Sequence, residues 1–199
     1  MIHVHGFETS NNVKVRIALG YKGLDYEFHR IDPADRSGIV RLSGQHLTPV
    51  LVHDGTVLFD SAAILRWLDA NFRDTPRLFG ANLLEQWAIE DQELFARAVL
   101  AAPLMTVVHR RVAGNPLGPE ELERCADDWA RAVRRLATRL DGREWLVGHA
   151  MSAADITAAA VLDRVQRAGL FDDPPEAPSL ADWRDRVLAW DRYHESRDG

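Results

Sequence analysis

A chain of 199 residues is long enough for one large domain or two small ones sharing an interface, and its 46% hydrophobic and 27% charged residues exclude a disordered chain. A formal charge of -6 gives no reason to expect nucleic acid or an acidic membrane surface as a partner. No apolar run approaches a membrane span, Met1-Ile2-His3-Val4-His5 lacks a signal-peptide pattern, and the lone Cys125 forms no internal disulfide, so the expectation is a cytoplasmic protein.

Ile2 to Phe7 is a short strand pattern with Ile2, Val4 and Gly6 on one face. Polar Glu8 to Asn12 follow as a loop, and Val13, Val15, Ile17, Ala18 and Leu19 run with helical character to Gly23. Asp25 to Ile31 reads as a second strand, which completes a βαβ unit with a parallel pair. Pro49-Val50-Leu51-Val52 and Val57-Leu58-Phe59 flank the hairpin signal Asp54-Gly55 and are expected to be antiparallel. Asp60-Ser61 opens a helix in which Ile64, Leu65, Leu68 and Phe72 keep the 3.6-residue period.

Beyond the polar segment Arg73 to Arg77 strand signals nearly vanish. Leu83 to about Val112 reads as one long helix bent at Pro103. Gly114-Asn115-Pro116 breaks it, and Pro119-Glu120-Glu121 begins a helix with the apolar stripe Leu122, Cys125, Trp129, Val133, Leu136 and Leu140. Ala153 to Leu162 is apolar nearly all round, as a central helix requires, and a last amphipathic helix runs from about Ser179 to Tyr193. The expected fold is α/β plus all-α: a βαβ-ββα domain over residues 1–76 with a four-stranded mixed sheet, then a helical bundle over 83–199.

Four segments, in order and at natural spacing, resemble the cytosolic glutathione transferase family. Val4-His5-Gly6-Phe7, Lys14-Val15-Arg16-Ile17-Ala18-Leu19 and Lys22 to Glu27 match its thioredoxin-like domain. Gln45-His46-Leu47-Thr48-Pro49-Val50-Leu51 resembles the segment that carries its cis-proline, and Asp60-Ser61-Ala62-Ala63-Ile64-Leu65 its acid-serine motif, with Asp where Glu is usual. Gly148 and Ser152-Ala153-Ala154-Asp155 resemble its capping box, again with Asp for Glu, a structural motif that satisfies a buried helix start. The resemblance implies glutathione as cosubstrate, a small electrophile held between two domains, and a two-fold homodimer for which Phe59, Trp67 and the start of the helical domain are candidate contributors.

By their residues alone, Thr48-Pro49 is a strand-start proline of either isomer, and a cis bond would turn the Thr48 backbone outward to pair with a peptide ligand. Asp60-Ser61 is an N-cap, and its free N–H groups with the Ser61 hydroxyl also suit a carboxylate such as that of a γ-glutamyl group. The resemblance implies an activating hydroxyl or thiol in the Glu8–Asn12 loop. In the register set by Lys14-Val15-Arg16 it falls on Thr9, with Asn11 completing a Thr-x-Asn pattern of some bacterial members and Ser10 the runner-up. The other reading of this loop is a solvated turn in which Asn11 or Asn12 caps the helix.

Holding a thiol of pKa near ~8.5 as thiolate at neutral pH takes about two pKa units, or roughly 2.7 kcal/mol. One hydrogen bond to the anion supplies about 1.5–3 kcal/mol and a helix N-terminus about 0.3–1, so one hydroxyl suffices and no general base is required. The absence of cysteine before Cys125 excludes a Cys-x-x-Cys redox pair or a mixed disulfide at this loop. His46 stands where it could meet the glycyl carboxylate, while Arg97, Leu104 and Met105 are candidates for the electrophile pocket. Eight histidines show no His-x-x-x-His or Glu-x-x-His spacing on a helix, so no metal is expected, and His3 and His5, on one strand face, read as edge or interface residues. Two alternatives remain beside a serine/threonine-type transferase: a related binding or regulatory protein with little turnover, and a thiol-dependent isomerase, dehalogenase or peroxide reductase.

Overall fold

Alternation shapes the first strand. In the computed structural model, which describes residues 1–174 and 179–193, β1 (Ile2–Gly6) buries Ile2, Val4 and Gly6 and leaves His3 and His5 on the other face. It runs parallel to β2 (Tyr26–Arg30) and antiparallel to β3 (Val50–His53), which pairs in turn with β4 (Thr56–Phe59). The sheet order β2-β1-β3-β4 is the expected mixed sheet of a thioredoxin-like domain. Asp54 and Gly55 both take positive φ, 46° and 78°, the conformation a two-residue hairpin turn demands and Gly accepts freely.

Helix α1 (Ser10–Tyr21) follows β1 and is buried continuously from Asn12 to Gly20. Helices α2 (Ser37–Ser43) and α3 (Ser61–Asn71) complete the domain. Sequence patterning misses α2, because its seven residues bury only Ile39 and so carry no periodic signal.

The long helix expected from Leu83 to Val112 is two helices, and the break precedes Pro103. Helix α4 (Leu83–Phe95) passes into a π-helical turn (Ala96–Leu100), closed by the Ala101 N–H donating to the Ala96 carbonyl at 3.0 Å, before α5 (Ala102–Val112) begins. Pro103 therefore lies in the first turn of α5, where its missing N–H is not needed, and the wider turn ahead of it absorbs the misfit. Helix α6 (Pro119–Leu140) packs on α5, and α7 (Ala153–Arg167) is the central helix, touching α1, α4 and α8 (Ser179–Leu188). Helix α8 ends five residues short of the expected Tyr193. The chain beyond it returns to α1: a Cβ at Gly20 would stand 1.9 Å from the Trp190 carbonyl oxygen, so only glycine permits the approach. Tyr193 meets the rings of Tyr26 and Phe28 at 5.7 and 5.4 Å. His194 lies outside the described residues.

The start of α7 is held by one carboxylate. Ser152 donates its N–H and hydroxyl to Asp155 Oδ2 at 3.0 and 2.9 Å, and the Leu146 N–H and Trp183 Nε1 donate to Oδ1 at 2.9 and 3.1 Å. Burial pushes the Asp155 carboxyl up from the usual carboxylate range, and these four donors pull it back. Asp155→Ala should lower stability by roughly 3 kcal/mol, since four buried donors lose their acceptor. Urea unfolding should show the midpoint falling at unchanged m-value.

Candidate active site at the domain interface

Helix α1 begins earlier than the sequence implies, so Ser10, Asn11 and Asn12 form its first turn and not a loop. Neither asparagine caps it. Thr9 is the N-cap, with extended backbone (φ -119°, ψ 159°), and its Oγ1 accepts from the Asn12 N–H at 3.3 Å and from Asn12 Nδ2 at 2.8 Å. The buried Asn12 amide also donates to Thr48 Oγ1 at 3.0 Å, which ties the start of α1 to the loop before β3. The Thr48–Pro49 bond is cis. Gly6 makes room for this amide, since a Cβ there would lie 1.6 Å from Asn12 Oδ1.

Across from Thr9, Asp60 caps α3 with its Oδ1 accepting from the Ala62 and Ala63 N–H groups at 2.8 and 3.0 Å. Ser61, nearly buried, donates its hydroxyl to Asn11 Oδ1 at 3.2 Å. The first turns of α1 and α3 are thus joined directly. His46 is exposed on the preceding loop, where its carbonyl accepts from Arg36 Nη1 at 3.2 Å.

These two helix starts form one wall of a cleft of about 230 Å³. Ser10, Asn11, Lys14, Asp60 and Ser61 line it from the sheet domain, and Arg97, Ala101, Met105, Thr157 and Val161 from the helices. Of the three residues expected from the helical domain, Arg97 and Met105 are there, whereas Leu104 is buried in the core. Neither Thr9 nor His46 belongs to the lining of this cleft. Larger clefts of about 390 and 480 Å³ occur elsewhere, but neither touches the start of α1 or of α3.

Two cations on α1, which sequence reading used only to set the register, are entirely buried. Arg16 makes a bidentate pair with Glu8 at 2.7 and 2.9 Å and binds Asp191 through Nε and Nη2 at 3.1 and 3.0 Å, and its guanidinium lies 4.6 Å from the Phe28 ring centroid. Because Glu8 immediately precedes Thr9, this cation anchors the segment that presents the Thr9 hydroxyl. Lys14 is less well served. Its Nζ stands 3.9 Å from the buried carboxylate of Glu93, which Arg97 and Arg66 also approach, each at 3.2 Å. Lys14 Nζ and the buried Thr157 Oγ1, both on the cleft, make no hydrogen bond among the described residues. The signal that could have marked Lys14 is a charged residue inside a helix run with no polar face.

A family model described as glutathione S-transferase, N-terminal domain, matches residues 4–76, and one described as glutathione S-transferase, C-terminal domain, matches residues 97–191. Together they take in most of the chain, and the chain belongs to the cytosolic glutathione transferase family. It is similar to a solved glutathione S-transferase from Rhodospirillum rubrum F11, with 25% identity, 98% of this chain and 91% of that one covered, and a TM-score of 0.83. A glutathione S-transferase from Methylobacterium radiotolerans JCM 2831, solved in complex with glutathione sulfonate, is 26% identical over 98% of this chain and 92% of that one, with a TM-score of 0.80. Glutathione S-transferase U7 of Arabidopsis thaliana is 26% identical over 155 residues, 74% of this chain. The match spans 63% of that relative, 31% of glutathione S-transferase 1 of Dianthus caryophyllus and 37% of Arabidopsis glutathione S-transferase U10, less than two thirds of each.

Burial lowers the Lys14 ammonium to about 8, with Arg97 and Arg66 pushing the same way and Glu93 and Asp60 opposing. A lysine whose folded pKa lies below its unfolded value weakens the fold while it is charged, and that penalty fades as pH rises from about 8 towards 10.5. At neutral pH it is worth roughly 3 kcal/mol. Lys14→Met should therefore be at least as stable as the parent at pH 7, and its advantage should shrink steadily in melting curves taken between pH 7 and 10.

Proposed function

We propose that the protein is an enzyme, a glutathione transferase of the serine/threonine type found among bacterial members, in which Thr9 activates the thiol. The observation that carries this reading is the state of the Thr9 hydroxyl. A hydroxyl has two lone pairs and one hydrogen, and both lone pairs serve Asn12, so its hydrogen is the group left to donate to a sulfur anion. Accepting two bonds also polarises the O–H and strengthens it as a donor. Ser10 and Asn11, on the first turn, stand beside it on the cleft side.

Glutathione occupies the sheet domain, residues 1–76, in this proposal. The Thr48-Pro49 backbone pairs with the peptide as an added strand would. Ser61 takes the γ-glutamyl carboxylate through its N–H, which the Asp60 cap does not use, and through its hydroxyl, which exchanges Asn11 for the ligand. Asp60 fixes that turn, and His46 reaches the glycyl carboxylate. The thiol proton passes to water, the thiolate attacks the electrophile, and the helical domain from residue 83 holds that electrophile against Arg97 and Met105. Lys14 adds a positive charge to the same cleft. The likeness to a transferase solved with glutathione sulfonate supports the ligand assignment, and none of these steps uses a metal.

The proposal includes a two-fold homodimer in the cytoplasm. Leu84, Trp87 and Leu94, along one side of α4, are 74%, 58% and 53% exposed, and Phe59 on the edge strand β4 is 48% exposed, an apolar surface of the kind that a second copy covers. The Trp67 ring meets those of His53 and Phe72, with centroids 5.8 Å apart. No helix among the described residues is long and apolar enough to cross a membrane.

Thr9→Ala should lower turnover with a model electrophile about ten- to a hundredfold, the loss of one charge-assisted hydrogen bond. Glutathione affinity should fall less, and thiolate absorbance in the complex should appear at higher pH. If Ser10→Ala gives the large defect instead, the loop is right and the hydroxyl is wrong; if Thr9→Ala, Ser10→Ala and Asn11→Ala are all silent, the catalytic reading fails. Light scattering at micromolar concentration should give twice the chain mass, and Trp87→Glu should shift it to the monomer.

A further inference from the structure

The exposed face of the β1–β2 pair gathers residues that neither the thiol chemistry nor the fold explains. The parallel register sets His3 opposite Glu27 and His5 opposite His29, all four side chains on the face turned away from the buried Ile2, Val4 and Tyr26. His3 Nδ1 stands 3.2 Å from Glu27 Oε2 and 3.0 Å from His29 Nε2, and the same two atoms of Glu27 and His29 are 3.6 Å apart. Three potential ligand atoms thus form a nearly equilateral triangle.

That triangle has the size a metal ion needs. An ion that holds nitrogen and oxygen ligands at ~2.0–2.1 Å in tetrahedral geometry keeps them about 3.3 Å from one another. We propose that His3, Glu27 and His29 form a binding site for a first-row divalent transition-metal ion. Two imidazoles and one carboxylate suit zinc and its neighbours, not calcium or magnesium, which take oxygen ligands. Three protein ligands on one side leave a coordination position open to solvent. His5 stacks on His29 with ring centroids 4.5 Å apart and planes 15° from parallel, which restricts the His29 ring. The expectation of no metal looked for helical spacing, whereas here the ligands come from two strands whose pairing no single-segment pattern reveals. None of the three ligands lines the interdomain cleft, so the site is independent of the thiol reading.

The test is calorimetric titration of untagged, chelator-treated full-length protein with zinc, backed by the visible spectrum of the cobalt-substituted form. One ion per chain should bind with micromolar affinity, and the melting temperature should rise with zinc concentration. His3→Ala, His29→Ala and Glu27→Gln should each weaken binding about tenfold or more, as loss of a ligand must when loss of an outer partner alone weakens it ~10–100-fold. His53→Ala and His109→Ala should leave it unchanged. Absence of saturable binding below ~1 mM zinc, where mass action would be evident for such a site, overturns the proposal. So does binding that His29→Ala leaves intact; His29 lies on the edge strand, so this variant decides the question even if His3→Ala disturbs β1.

Discussion

Helix α1 is sealed into the middle of the molecule, and it carries two cations with it. Taking an ion out of water carries a penalty of several kcal/mol, so the surrounding structure has to answer both charges. For Arg16 the answer is complete: Glu8 and Asp191 each engage its guanidinium, and Phe28 lies against its face. For Lys14 it is partial, because Glu93 is shared with two arginines and stands 3.9 Å away. The fully paired cation locates the helix, while the poorly paired one leaves donor capacity at the cleft.

The site shows how few groups are needed once a helix end has been placed. One amide, Asn12, satisfies Thr9 and Thr48 together, and one hydroxyl, Ser61, spans the first turns of α1 and α3. All of these bonds are side chain to side chain, and the two that reach Thr48 and Ser61 join segments 36 and 50 residues apart, so the geometry follows from the docking of α1 on its neighbours and not from any one loop. Asp60 keeps its own carboxylate on the Ala62 and Ala63 amides, while the Ser61 hydroxyl turns to Asn11.

Much of this was legible from the chain. Alternation in Ile2–Gly6, the Asp54-Gly55 turn and the period of the Asp60 helix define the sheet domain, because each is a local pattern backed by burial on one face. The boundary of α1 was misplaced because Ser, Asn and Asn favour loops by propensity, and here tertiary burial of Asn12 overrides that preference. Helix α2 has one buried residue and no period to find. The π-helical turn is invisible because a proline attracts the break to itself, although the chain adjusts upstream. The cleft was the hardest part: Lys14, Glu93, Arg97 and Thr157 are unremarkable as residue types and acquire meaning only when α1, α4 and α7 meet.

The bond between Arg16 and Asp191 joins positions 175 residues apart. At a ribosome adding ~5–20 residues per second, that separation amounts to roughly 10–35 s. For that interval the sheet domain holds an arginine meant for a dry interior with Glu8 and the Phe28 ring but not Asp191 to meet it, and the face of α1 that α7 will cover is open to solvent. The native partners of α1 are thus drawn from both ends of the chain. The contacts that fix the start of α1 are complete only when the far end of the chain has closed over the near one.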